Sequence, residues 1–164
     1  MSDASGAIRA ANLSVVASDE EAQPTTAFCS HCGARPDADA NSRVCTSCGL
    51  GLILHAATGS APEYGGAFLV VDETMSVAAV SQAAERLLAT RETEAVNRHL
   101  TQLLVPADAE LQGPANLAVA VTWAARGDPA ARKIFVRPAN TFGVRISARV
   151  ASCGPPTAAL VVFD

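Results

Sequence analysis

Between residues 66 and 164 the spacing of apolar positions changes from strand-like to helical and back, which predicts strand, strand, helices and then three strands. AFLVVD (67–72) is a continuous apolar run of the buried-strand kind. SVAAV (76–80) follows after the turn DETM and closes a hairpin. SQAAERLLA (81–89) puts Ala83, Ala84, Leu87 and Leu88 on one helical face, with Ser81 in the capping position. HLTQLL (99–104) reads as a short helical piece stopped by Pro106. PANLAVAVTWAARG (114–127) fits a longer helix, with Pro114 near its start, Gly127 past its end, and Leu117, Ala120, Val121 and Ala124 as the inner stripe. ARKIFVRP (131–138) is a strand ended by Pro138. TFGVRISARVA (141–151) alternates, with Phe142, Val144, Ile146, Ala148 and Val150 on one face and Gly143, Arg145, Ser147 and Arg149 on the other. CGPP makes a tight turn, and TAALVVFD (157–164) is apolar enough to lie centrally in the sheet.

Upstream this regularity stops. Residues 1–26 are rich in Ala, Ser and acidic side chains and read as a disordered acidic tail. Residues 27–56 carry two cysteine pairs and the apolar run LGLILHA. Residues 57–65 (ATGSAPEYG) make a linker. Charge follows these divisions. Residues 1–26 set Arg9 against Asp3, Asp19, Glu20 and Glu21. Residues 27–56 are balanced, and 64–164 hold nine basic and nine acidic side chains. A protein that works through phosphate contacts carries a basic excess, so nucleic acid is a disfavoured partner. No stretch approaches the roughly 20 apolar residues that a bilayer crossing needs. MSDASGAIRAANLS also has neither a basic start nor a long apolar core. The expectation is a cytoplasmic protein with no membrane contact, whose thiols stay reduced.

The strongest chemical signal is Cys29-Ser-His-Cys32-Gly33 and Cys45-Thr-Ser-Cys48-Gly49, with twelve residues between Cys32 and Cys45. Two intervening residues let the chain curl until both sulfurs of a pair face one ion, and the glycine permits a positive φ where the chain reverses. Two such knuckles supply four thiolates, a closed tetrahedral shell for Zn²⁺ with no open position, which argues for structure rather than catalysis. Iron is the alternative metal for such ligands. Two disulfides do not suit a reducing compartment, and a redox CxxC needs only one pair in a different fold context. His31, inside the first knuckle, and His55, after the module, are expected as surface or packing residues. Metal and thiolates together would add two negative charges to the module.

On these knuckles and the strand-like LGLILHA, residues 27–56 resemble the zinc ribbon family. Members of that family bind nucleic acid, bind proteins, or serve as stabilised appendages, so the resemblance does not select a function. Residues 66–164 resemble the PAS sensor family. AFLVVDETMSVAAVSQAAERLLA (67–89) follows the family's strand–turn–strand–helix segment, with Ser81 at its usual Asn position, Ala83-Ala84 matching, and Leu87-Leu88-Ala89 standing for Leu-Leu-Gly. NRHLTQLLVP (97–106) is similar to the family's Gly-Arg-x-Leu-x-x-Leu segment, with Asn97 in place of Gly. The resemblances imply an α+β chain: an N-terminal four-cysteine zinc ribbon, then a PAS-like five-stranded antiparallel sheet with helices on one face. They also imply a small-molecule ligand of unidentified chemistry or a homodimer surface, and a protein partner. PAS proteins usually regulate an attached output domain, and with no kinase, cyclase or coiled-coil pattern after 157–164 the expectation is output in trans or through the zinc module.

Other candidates are weaker. The flavin-binding PAS subgroup's reactive-cysteine segment is missing, and Cys153 in its Gly-Pro-Pro turn reads as a lone structural or exposed thiol. His99 reads as a surface residue. Trp123 falls off the helix's inner stripe. Arg132, Lys133, Arg137, Arg145 and Arg149 gather on the late strands, where a solvated sheet face is the plain reading and an anion or acidic partner the sharper one. No nucleophile–base pattern, phosphate loop or HExxH is present, so no enzyme is expected. The function expected is non-enzymatic signalling or regulation. A nucleic-acid-associated transcription regulator is the alternative, and a small enzyme using a pocket of the second unit the residual one.

Overall fold

The architecture turns on one strand. β8 (Ala158–Phe163) has all six residues buried. It lies between β7 (Ile146–Gly154) and β3 (Phe68–Val71) in a sheet ordered β1-β2-β7-β8-β3-β4, where β1 is Thr25–Cys29, β2 Ile53–Ala57 and β4 Val77–Val80. β6 (Arg132–Pro138) also pairs with β7, and β5 (Leu104–Pro106) pairs with β6. Every strand pair is antiparallel. The computed structural model describes residues 23–37, 40–108 and 116–164. The expected tail therefore falls outside the described residues up to 22, and Thr25 and Thr26 at its end already belong to β1.

The five strands expected in the second unit are all present, but the sheet has eight. β6 pairs with β7 only as far as Val150, which leaves the C-terminal half of that edge open, and β2 fills it through His55↔Gly154 and Ala56↔Cys153. Backbone groups at a buried edge need partners, and the cysteine module's hairpin supplies them. The third addition, β5, corrects the helical reading of 99–104. Only Leu100–Gln102 turns, as a 3₁₀ segment with the His99 side chain accepting from the Thr101 N–H, and the chain then extends. A segment this short cannot sustain helix nucleation alone, and pairing with β6 satisfies its backbone instead.

β7 starts later than its alternation predicted. Residues 139–140 form a turn, 141–145 are irregular with a bend at 142–143, and Phe142 is 85% exposed. β6 ends at Pro138, which has no N–H to donate, and Gly143 takes φ +74°, so this stretch becomes the hairpin loop. Cys153 and Gly154 belong to β7, and the turn falls on the residues after them.

Buried side chains alternate between two clusters. Leu69, Val71, Val150, Ala159 and Val161 share one core with Ala84 and Leu88 of α1 (Gln82–Leu88), Ala95 of α2 (Glu92–Ala95), and Leu117, Ala120, Val121 and Ala124 of α3 (Leu117–Ala125). Phe68, Val70, Leu160 and Val162, one residue out of step, pack with Phe28, Leu54 and Ala56 of the cysteine module. This is why β8 reads as apolar throughout: each of its faces has a cover. Leu87, expected inward, is 41% exposed. The connection after β2 also folds back tightly, with Thr58 N–H donating to Pro24 O and Gly65 N–H to Cys32 O.

Candidate metal centre

β1 delivers Cys29 at its end, fully buried. There the chain curls: Cys29 N–H donates to Ala34 O at 2.9 Å and Gly33 N–H to Cys29 O at 3.0 Å. The second knuckle repeats the pattern, with Cys45 N–H donating to Gly51 O at 2.8 Å and Gly49 N–H to Cys45 O at 2.9 Å. Gly33 and Gly49 take φ +73° and +69°, the left-handed conformation that the sequence required of them. Val44 pairs with Leu52 and closes the second knuckle in front of β2, and Ser30 N–H in the first knuckle donates to Leu52 O at 2.8 Å, which joins the two.

The four thiols meet. Cys29 Sγ lies 3.6 Å from Cys48 Sγ, Cys32 Sγ lies 3.9 Å from Cys45 Sγ, and all four fall within 4.8 Å of one another. A regular tetrahedron with metal–sulfur bonds of about 2.3 Å has sulfurs about 3.8 Å apart, so the set fits a four-coordinate thiophilic ion. Burial raises the Cys29 thiol to about 12, against the N–H groups of Cys32 and His31. Burial likewise raises Cys32. At Cys48 burial also opposes ionisation, but the N–H groups of Gly51 and Leu50 and the neighbouring cysteines outweigh it and lower the thiol to about 6. The centre thus mixes one easily ionised sulfur, Cys48, with two, Cys29 and Cys32, that need a positive charge nearby before they give up their protons.

Two contributors were not singled out in the sequence. Gly51 is one: a Cβ there would overlap Cys29 Sγ and come within 2.8 Å of His31 N. The only hint was a second glycine in Cys48-Gly49-Leu50-Gly51. Gly33, already required by its turn, is tight in the same sense, since a Cβ would stand 2.6 Å from Glu63 O. The other contributor is the contact set of His31. Its N–H points at Cys29 Sγ at 3.4 Å, its carbonyl accepts from Gln82 N–H at 3.0 Å, and its Nδ1 is 3.4 Å from Glu92 Oε2. That last contact is at ion-pair distance but outside hydrogen-bonding geometry, so Nδ1 is buried with no hydrogen-bond partner among the described residues. His31 is therefore a packing residue between the knuckle and the helices.

The remaining candidates lie apart from this centre. His55 is exposed on β2, and His99 is exposed with Nδ1 2.7 Å from Thr101 Oγ1. Cys153 is buried, which decides between the two readings of that thiol. Trp123 is 42% exposed, with the Arg132 guanidinium 4.5 Å from its ring centre. Of the five late-strand cations, Arg132 pairs with Asp128, Arg145 with Asp108 and Arg149 with Asp164. Much of their charge is thus compensated within the fold. No described helix is long and apolar enough to cross a membrane.

Neither a protein-family model nor a curated protein matches the chain. Among solved structures it is similar to the PAS domain of nitrogen regulation protein NR(II) from Vibrio parahaemolyticus, at 18% identity and a TM-score of 0.44, over 60% of this chain and 86% of that one. That degree of overlap assigns no residue a role.

Proposed function

We propose that the chain is a non-enzymatic regulatory protein of a reducing, cytoplasmic compartment. In this reading Cys29, Cys32, Cys45 and Cys48 hold one structural Zn²⁺ in a ribbon-like module, and residues 66–164 form a PAS-like sensing or dimerisation unit that acts on a protein partner in trans. The observation that carries the metal reading is the pair of sulfur separations across the knuckles, 3.6 and 3.9 Å, bracketing the tetrahedral value of about 3.8 Å. When bound, the ion would offset the charge of four thiolates and tie two turns that have little core of their own.

Backbone conformation supports the PAS-like reading. Ser81 caps α1, its Oγ accepting from Ala84 N–H. Ala89 and Asn97, at the two positions where that family carries glycine, have φ +49° and +67°. Non-glycine residues rarely adopt such angles, so their coincidence with those positions is specific. Partner contact has material in Leu87, Trp123, Phe142 and Val144, all exposed on this unit.

Native mass spectrometry with elemental analysis of protein prepared without chelator tests the whole reading. One zinc per chain, lost on Cys29→Ser, and a dimer would support it. A metal-free chain with an equally ordered module would refute the metal reading, and a strict monomer at high concentration would refute dimerisation.

A further inference from the structure

The first knuckle is built into the helical side of the fold as well as into the metal centre. His31 lies between Cys29 and Cys32, so the direction of its peptide groups is set by both sulfurs pointing to one place. From that position its carbonyl accepts from Gln82 N–H at 3.0 Å, at the first residue of α1, and its largely buried ring sits 3.4 Å from Glu92 of α2. Glu92 is itself tied in, accepting from Val80 N–H through Oε1 and donating its own N–H to Glu85 Oε1 at 2.6 Å. Cys32 O accepts from Gly65 N–H, so both ends of the knuckle are attached. The second knuckle differs: Leu50 and Leu52 beside it are 73% and 53% exposed. Beyond the helices, Leu88, Glu94, Arg98 and Leu103 wall a recess of about 320 Å³.

We propose that metal occupancy of the four-cysteine centre sets the position of α1 and α2, so that the first knuckle works as a metal-responsive clamp on the walls of that recess. The proposal rests on the metal reading above. Loss of the ion releases the constraint that holds Cys29 and Cys32 together, and the His31 carbonyl and ring then lose their fixed relation to Gln82 and Glu92. The coupling is reciprocal: whatever docking of α1 and α2 gains from the metal, metal retention gains from the docking.

The test uses the full chain with Zn²⁺ as the probe, zinc content measured separately, and amide hydrogen exchange followed by mass spectrometry. Gln82→Pro removes one N–H at the first helical position, where proline is tolerated. Ser81, at φ −69° and ψ 152°, already has the conformation a following proline demands. Glu92→Gln removes the carboxylate that faces His31. Stripping zinc from the unsubstituted chain should speed exchange across 83–95 about tenfold, with 146–163 unchanged. The double variant should still take up one zinc, exchange fast across 83–95 in both states, and release zinc to a chelator about fivefold faster. In the unsubstituted chain, zinc uptake with exchange across 83–95 indifferent to the metal overturns the clamp and leaves the metal site standing. A chain that takes up no zinc overturns both. If stripping unfolds the whole chain, the release rate of the loaded proteins decides, and equal rates overturn the clamp.

Discussion

The ring of Phe28 stands edge-on to that of Phe68, with centroids 5.7 Å apart and planes at 89°. Both side chains are fully buried, and the pair joins the cysteine module to β3 beneath the sheet. Phe28→Ala should destabilise the chain by about 3 kcal/mol or more, the range for deleting a buried ring without refilling its space. Because Phe28 immediately precedes Cys29, the variant should also hold its metal less tightly. Denaturant unfolding of the zinc-loaded chain checks this, and a loss under about 1 kcal/mol would mean that the module contributes little to the shared core.

Gly51 has no room for a methyl group, since Cys29 Sγ and His31 occupy the space. Gly51→Ala should cost about 1–3 kcal/mol of overpacking. Felt in the metal-bound state, that is roughly a five- to 150-fold loss of zinc affinity. Gly59→Ala, whose added Cβ would meet nothing within 4 Å, is the matched control and should bind as the unsubstituted chain does. Competition with a chromogenic chelator measures both.

Cys153 is buried, and burial raises its thiol to about 12. At pH 8 it should stay protonated and react with iodoacetamide at least a hundredfold more slowly than a free cysteine of ordinary pKa near 8.5. Peptide mapping of the zinc-loaded chain should find this residue unmodified until denaturant is added. Rapid alkylation in the folded state would mean that the β2–β7 junction opens readily.

Asp72 holds the β3–β4 turn, accepting from Thr74 Oγ1 at 2.7 Å, Thr74 N–H at 2.8 Å and Ser76 N–H at 2.9 Å. Burial alone would raise its carboxyl, but the Thr74 hydroxyl and the two N–H groups lower it on balance. A carboxylate depressed in the folded state adds stability that is present above its unfolded value of about 3.9 and lost as pH falls through the folded value. Asp72→Ala should therefore cost about 1 kcal/mol at pH 7, allowing for solvent screening at a turn, with the gap narrowing below pH 4. Urea unfolding at pH 7 and pH 3 compares the two, and a gap independent of pH would assign the loss to packing alone.

Where the sequence reading succeeded, the controlling contact was local. Ser81 caps α1, Gly127 follows the end of α3, and Gly33 and Gly49 turn their knuckles, because each of these choices is made within one turn of chain. It failed where a distant strand decided the outcome. The alternation of 141–145 met no partner once β6 ended at Pro138, and 104–106 became a strand because β6 offered an edge. Nothing in the periodicity of either stretch records which neighbour will be present.

By itself, the sequence determined that four cysteines would converge, that a hairpin and a capped helix would open the second unit, and that 157–164 would be central, since ligand spacing and apolar runs are short-range properties. The tertiary structure alone decided that β2 would complete the open edge of β7, that His31 would face Glu92, and that Gly51 would back onto Cys29. Those partners are far apart along the chain, and they are selected by which surfaces remain uncovered after each element has folded.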